Sequence, residues 1–130
     1  MTTSTESIDA FLRQVSATWK TNDAVAVGRN FADDGCLVNP FGERADGRPA
    51  VTTMYTQYFQ TLLRGTTTAF QVNHARVVDE RHVFVDAEQQ ILGADGAMVL
   101  DLRVPALLRR EGDGWRIVDA RPAMKTAAPK

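Results

Sequence analysis

Apolar residues open the chain at helical spacing. Ile8, Phe11, Leu12, Val15 and Trp19 recur every three or four positions, the stripe of an amphipathic helix, and Thr3 with Glu6 can form its capping box. Asn22-Asp23 breaks this pattern and can cap a second helix with Ala24, Val27, Gly28 and Phe31 on its apolar face. Gly35 then opens a short strand through Cys36, Leu37 and Val38, and Pro40 ends it by removing a ladder donor. A third helix is predicted from near Pro49, with a broad stripe of Val51, Met54, Tyr55, Tyr58, Phe59 and Leu62 and a C-terminal cap at Gly65. From Thr67 the period changes to two, which predicts a meander of strands. The ordered core is expected over about 5–123 of a single 1–130 domain, with 124–130 as a tail.

The strand region is patterned well enough to assign a register. Asp95-Gly96 predicts a type I′ hairpin, which sets Gln89 opposite Leu102, Ala87 opposite Val104 and Ile91 opposite Leu100. Glu88 then faces Arg103 and Gln90 faces Asp101, so apolar residues share one face and opposite charges the other. The Glu80-Arg81 turn sets Val72 opposite Gln89 and His74 opposite Ala87. The Glu111–Gly114 loop sets Ile117 opposite Leu108, Asp119 opposite Ala106 and Arg121 opposite Val104.

This register sorts the polar side chains. The face that the helices must cover carries His74, Gln89, Asp119 and Arg121 among apolar neighbours, and Asn39 joins them from the first strand. Such a set inside an apolar wall describes a small-molecule pocket. Each member also has a plainer reading. His74 can be a structural histidine, Asp119 and Arg121 can simply pair, Gln89 can satisfy backbone at a bend, and Asn39 before Pro40 can shape a turn. Trp19, Met54, Tyr55 and Tyr58 lie on apolar helix faces and serve as core or as pocket wall.

Composition removes several function classes. The 130 residues carry a net charge of −1, which gives no basic footprint for nucleic acid and no polybasic membrane patch. No apolar run approaches the ~20 residues of a membrane span, and the polar N-terminus does not read as a signal peptide. The single cysteine, Cys36, permits no internal disulfide, which fits a cytoplasmic protein, and its strand position favours buried filler over a nucleophile. His74 and His82 fall on opposite faces, no Cys-His spacing occurs, and phosphate-cradling and nucleophile-elbow motifs are lacking. No metal and no cofactor is expected. The acidic pair Asp86 and Glu88 reads as an outer-face ion pair with Arg103 rather than as a metal site.

The order of features from Phe31 to Val51, with Asn39-Pro40-Phe41-Gly42 at its centre, resembles the signature of the cystatin-like α+β cone. That is the fold of nuclear-transport-factor-like domains, ketosteroid isomerases and SnoaL-like polyketide cyclases. The close, Gly114-Trp115-Arg116-Ile117, is similar to that of the SgcJ/EcaC group of SnoaL-like proteins, so the resemblance runs from about Ile8 to Ala123. It implies a strongly curved antiparallel or mixed sheet covered by three N-terminal helices, and a homodimer through the outer sheet face.

Departures from the family patterns narrow the chemistry. Ketosteroid isomerases place a general-base Asp where this chain has Asn39, and an amide takes no proton at neutral pH. Their oxyanion-hole Tyr and Asp correspond to Val15 and roughly Ala106. The Asp-Arg-Asp set of limonene-epoxide hydrolases corresponds to Ala87, Gln89 and about Pro122, and the His of SgcJ-like relatives to Arg121. The resemblance therefore implies an accessory enzyme of cyclase, isomerase or dehydratase type acting on a polyketide-like or other small lipophilic carbonyl compound. Asp119 or His74 is expected as the base, Asn39 and Gln89 polarise the carbonyl, and Arg121 steadies an enolate. The competing expectation is a non-catalytic dimer that keeps the pocket as a ligand-binding or stabilising protein. An association module of the kind that oligomerises kinases ranks below both.

Overall fold

A computed structural model describes residues 5–126, with side chains from residue 6, and the possible capping residue Thr3 lies outside that range. Helix α1 (Thr5–Lys20) buries Ile8, Phe11, Val15 and Trp19, the stripe read from the sequence. It ends at Asn22, whose left-handed backbone (φ 55°) closes the helix with its N–H on the Trp19 carbonyl at 2.8 Å. The Asn22 side chain then bridges to the next layer, donating to Thr66 O and accepting from Gly65 N. Helix α2 (Ala24–Gly28) is capped by Asp23, which accepts from the Val25 and Ala26 N–H groups. Phe31 does not end this helix as expected. It starts strand β1 (Phe31–Val38), because an irregularity that leaves Asp33 and Asp34 exposed lets the strand begin four residues before Gly35.

After β1 the chain turns at Asn39–Gly42 into a short strand not read from the sequence, β2 (Arg44–Asp46). Gly47, at φ 87°, leads into α3 (Arg48–Phe59), which carries Pro in its first turn. Four long or medium strands follow as β3 (Thr67–Val77), β4 (His82–Leu92), β5 (Met98–Glu111) and β6 (Gly114–Ala120), then the short β7 (Ala123–Met124). The sheet order is β2-β1-β6-β5-β4-β3, antiparallel except for the parallel β1–β6 pair, and β7 continues past β6 along β5. Helices α1 and α3 cover one face of this open, curved, mixed sheet, and the core lies between them. Among the described residues no helix is long and apolar enough to cross a membrane.

The central hairpin has the expected register. Gln89 faces Leu102, Ala87 faces Val104, Ile91 faces Leu100 and Glu88 faces Arg103. Its turn is not type I′, however. Only Gly96 has positive φ, and the Gly96 N–H closes a turn on Gly93 O across Ala94-Asp95. A compensating shift between Ile91 and Leu92 restores the pairing beyond it.

The two outer pairings depart from expectation. Asp79 accepts from the N–H groups of Arg81 and His82, which makes the β3–β4 loop one residue longer than the expected Glu80-Arg81 turn. A bulge between Val72 and His74 adds a second shift, so Val72 faces Ala87, Phe70 faces Gln89, and His74 faces Asp86 on the exposed side. On the other flank Ile117 does face Leu108, but a bulge follows at once. Ala120 then takes the buried place opposite Ala106, and Asp119 pairs with Leu107 on the outer face. Glu88 also changes partner. It bonds Asn73 and Lys125, not Arg103, and Lys125 lies beyond the expected end of order because β7 pairs Met124 with Leu102.

Candidate functional site

A cavity opens between α3, the Asn39–Gly42 turn and the inner faces of β4 and β5. Its floor is apolar, from Leu37, Ile91, Leu100 and Leu102, and Trp19, Met54, Tyr55 and Tyr58 form the helical wall. Pro40, Phe41, Leu62, Leu63 and Pro122 complete the apolar lining. Phe41 remains 53% exposed and stacks on Tyr58 with ring centroids 6.1 Å apart, so the rim itself is apolar and partly open to solvent. Free space inside is about 50 Å³, room for a head group rather than for a whole drug-sized molecule.

Aromatic packing sets the wall. Tyr55 meets Trp19 edge-on at 5.5 Å and stacks on Phe59 at 5.7 Å, which fixes the ring by contacts on two sides. The Trp19 indole N–H donates to Thr66 Oγ1 at 3.0 Å. The Tyr55 hydroxyl has no hydrogen-bond partner among the described residues, and burial pushes its pKa well above the ordinary phenol range. It stays protonated at any physiological pH and is available as a neutral donor.

Asn39 is buried before Pro40, and both ends of its amide are engaged. Its Oδ1 accepts from the backbone N–H groups of Phe41 and Glu43, each at 3.0 Å, and its Nδ2 donates to Glu43 Oε1 at 2.8 Å. The Tyr58 hydroxyl donates to the same Glu43 oxygen. These two donors hold the Glu43 carboxyl below its usual range, and the carboxylate in turn raises Tyr58. Glu43 was not singled out from the sequence. Its only sequence signal is position, four residues after Asn39, within reach of a turn-closing amide.

Gln89 is 5% exposed and lines the cavity from β4. Its Nε2 donates to Thr68 Oγ1 at 3.1 Å, and that hydroxyl donates to Gln90 O at 2.9 Å. The Thr68 proton is thus committed to the carbonyl, so the Thr68 oxygen must accept, and this fixes the amide orientation of Gln89.

Six of the residues expected at the pocket, Asn39, Gln89, Trp19, Met54, Tyr55 and Tyr58, do line one cavity. The other three do not reach it. His74 is exposed across from Asp86, and Asp119 (34% exposed) pairs on the outer face with Arg121 (53% exposed) at 2.9 Å. Bulges near Asn73 and Val118 turned these side chains outward, so the expected convergence of His74, Asp119 and Arg121 on the inner wall does not occur. Cys36 is buried in β1, and burial together with Asp46 raises its thiol pKa, which leaves it a poor nucleophile.

Comparison with known proteins agrees with this geometry. The family model for the SnoaL-like domain matches residues 8–121. The chain belongs to the SnoaL-like domain family. A domain of unknown function with a cystatin-like fold from Nostoc punctiforme superposes with a TM-score of 0.82 at 19% identity, covering 96% of this chain and 81% of that one. An NTF-2-like protein of unknown function from Shewanella oneidensis gives a TM-score of 0.76 at 14% identity over 92% and 98% of the two chains. A protein from Novosphingobium aromaticivorans, assigned provisionally as a scytalone dehydratase, gives 0.78 at 14% identity over 93% and 83%. At these identities the likeness establishes the fold, and no curated protein matches the chain.

Proposed function

We propose that this SnoaL-like protein binds the head of a small lipophilic carbonyl compound in the α3 cavity and moves a proton beside that carbonyl, as a cyclase, isomerase or dehydratase does. The observation that carries this reading is an apolar cavity in which the Tyr55 hydroxyl is left without a partner, with Tyr58 in its wall hydrogen-bonded to the exposed Glu43 just outside the lining. Tyr55 would donate to the substrate carbonyl and steady the enolate. Glu43 Oε2, which has no hydrogen-bond partner among the described residues, would take the α-proton, in place of the outward-facing His74 and Asp119. The provisional dehydratase name of one structural neighbour is consistent with this class.

A second reading is favoured by Asn39. Its amide is fully engaged in closing the turn and is not free to polarise a carbonyl, which suits a binding protein whose chemistry has lapsed. On either reading the chain acts as a cytoplasmic homodimer through the outer sheet face, and sedimentation showing only monomer at working concentrations would remove the dimer. Mass spectrometry of small molecules extracted from the natively purified protein tests the ligand claim. A lipophilic carbonyl compound retained by the wild type and lost from a cavity-filling Leu100→Phe variant is the expected result. Identical extracts from both would contradict it. Once a substrate is known, Glu43→Gln and Tyr55→Phe should each lower kcat by about 10²-fold or more, whereas His74→Ala and Asp119→Asn should leave it unchanged.

A further inference from the structure

The chemistry of the ligand's buried end can be read from the cavity's own polar atoms. Gln89 lines the cavity with its Nε2 held by Thr68, so the amide atom left unengaged there is the carbonyl oxygen Oε1. That oxygen has no hydrogen-bond partner among the described residues, and the side chain around it is 95% buried. An amide oxygen only accepts. Gln89 therefore cannot polarise a carbonyl, the role expected for it from the sequence, and a ketone placed against it would leave two acceptors facing each other. Tyr55 brings a neutral hydroxyl to the same cavity, and no charged residue lines it. A carboxylate would enter with no cation to meet it, at the full cost of burying an unpaired charge.

From these features we infer that the cavity selects an uncharged ligand whose buried end carries an O–H group (alcohol, enol or phenol) donated to Gln89 Oε1. This rests on the reading of the cavity as a ligand site and specifies the substrate class within it as a neutral hydroxy- or enol-carbonyl compound. The free space of about 50 Å³ admits that head, while the apolar rim of Pro40, Phe41 and Leu62 supports the body of the molecule outside. Exclusion of acids follows from the lining, and preference for O–H follows from Gln89.

Phenol, toluene and benzoate serve as probes, with binding to the full chain followed by titration calorimetry or ligand-observed NMR. Because toluene is intrinsically more lipophilic than phenol, the informative quantity is the change on substitution, not the ranking in the wild type. Gln89→Leu should weaken phenol by about tenfold, the effect of one neutral hydrogen bond in a dry site, and leave toluene equal or tighter. Gln89→Met, which keeps the length of the side chain without its oxygen, should repeat that pattern and serves if the leucine variant does not fold. Benzoate should bind at least tenfold more weakly than phenol to the wild type. Equal effects of either substitution on phenol and toluene would overturn the hydroxyl assignment, and benzoate binding as tightly as phenol would overturn the neutrality. If the wild type binds none of the three probes, the cavity is not a ligand site and the broader reading falls with it.

Discussion

Asn39 shows how one residue can mark a fold without performing its chemistry. It sits where the resemblance to ketosteroid isomerases implies a base, yet its amide closes a turn, accepting from two backbone N–H groups and donating to Glu43. Replacing it with alanine leaves those N–H groups with solvent alone and should destabilise the protein by about 1–3 kcal/mol, measured by urea unfolding. Glu43 supplies a pH signature. Its folded pKa is lowered by Tyr58 and Asn39, so its stabilising contribution is fully present above the unfolded value of 4.5 and is lost as pH falls through the lower folded value. Glu43→Gln should therefore flatten the acid limb of the stability curve relative to the wild type. Unchanged curvature below pH 4.5 would show that the carboxylate is not held as described. Neither role is visible in a periodicity, because both depend on a turn that brings residues four apart into contact.

At the scale of elements, what was legible depended on where bulges fall. Helices α1 and α3 and the β4–β5 register follow from spacing, since an amphipathic stripe and an alternating hairpin each tolerate one answer. His74 is displaced by the longer β3–β4 loop together with the bulge beside it, and Asp119 by a bulge alone. A bulge inserts a residue with no compositional mark and reverses every side chain beyond it. The turn type at Asp95-Gly96 was also misread, with no effect on register because a second irregularity cancelled it. The irregularity in β1 does have a marker, Gly35. A side chain there would stand 2.8 Å from Ile117 O and 3.0 Å from Ala32 O, both backbone atoms that cannot swing away. Gly35→Ala should cost about 1–3 kcal/mol and loosen the β1–β6 pairing, seen as faster amide exchange at Ile117, whose N–H bonds Asn30 O. Wild-type exchange at that amide would show that the strand accommodates the methyl group.

For the whole molecule, the two sheet faces have separate tasks. The covered face holds the cavity and its few polar atoms, whereas the outer face gathers Asp86, Glu88, Asp101, Arg103 and Lys125 into a charged surface. The family resemblance in the Asn39–Gly42 segment points to the cone with a pocket between its sheet and three helices, and Trp19, Met54, Tyr55 and Tyr58 from the helices do meet Asn39 and Gln89 in one cavity. What remained hidden was the direction of each polar group, because engagement by Thr68 or Glu43 is a tertiary fact.

The methionines give the most direct test of where ligand binds. Met54 lines the cavity, whereas Met98 is exposed at the start of β5, opposite Leu92 and outside the lining. With methyl-labelled methionine, titration of phenol into the full chain should shift the Met54 resonance in a saturable way and leave Met98 in place. Saturable shifts at Met98 with Met54 unmoved would place the ligand outside the cavity and contradict the account.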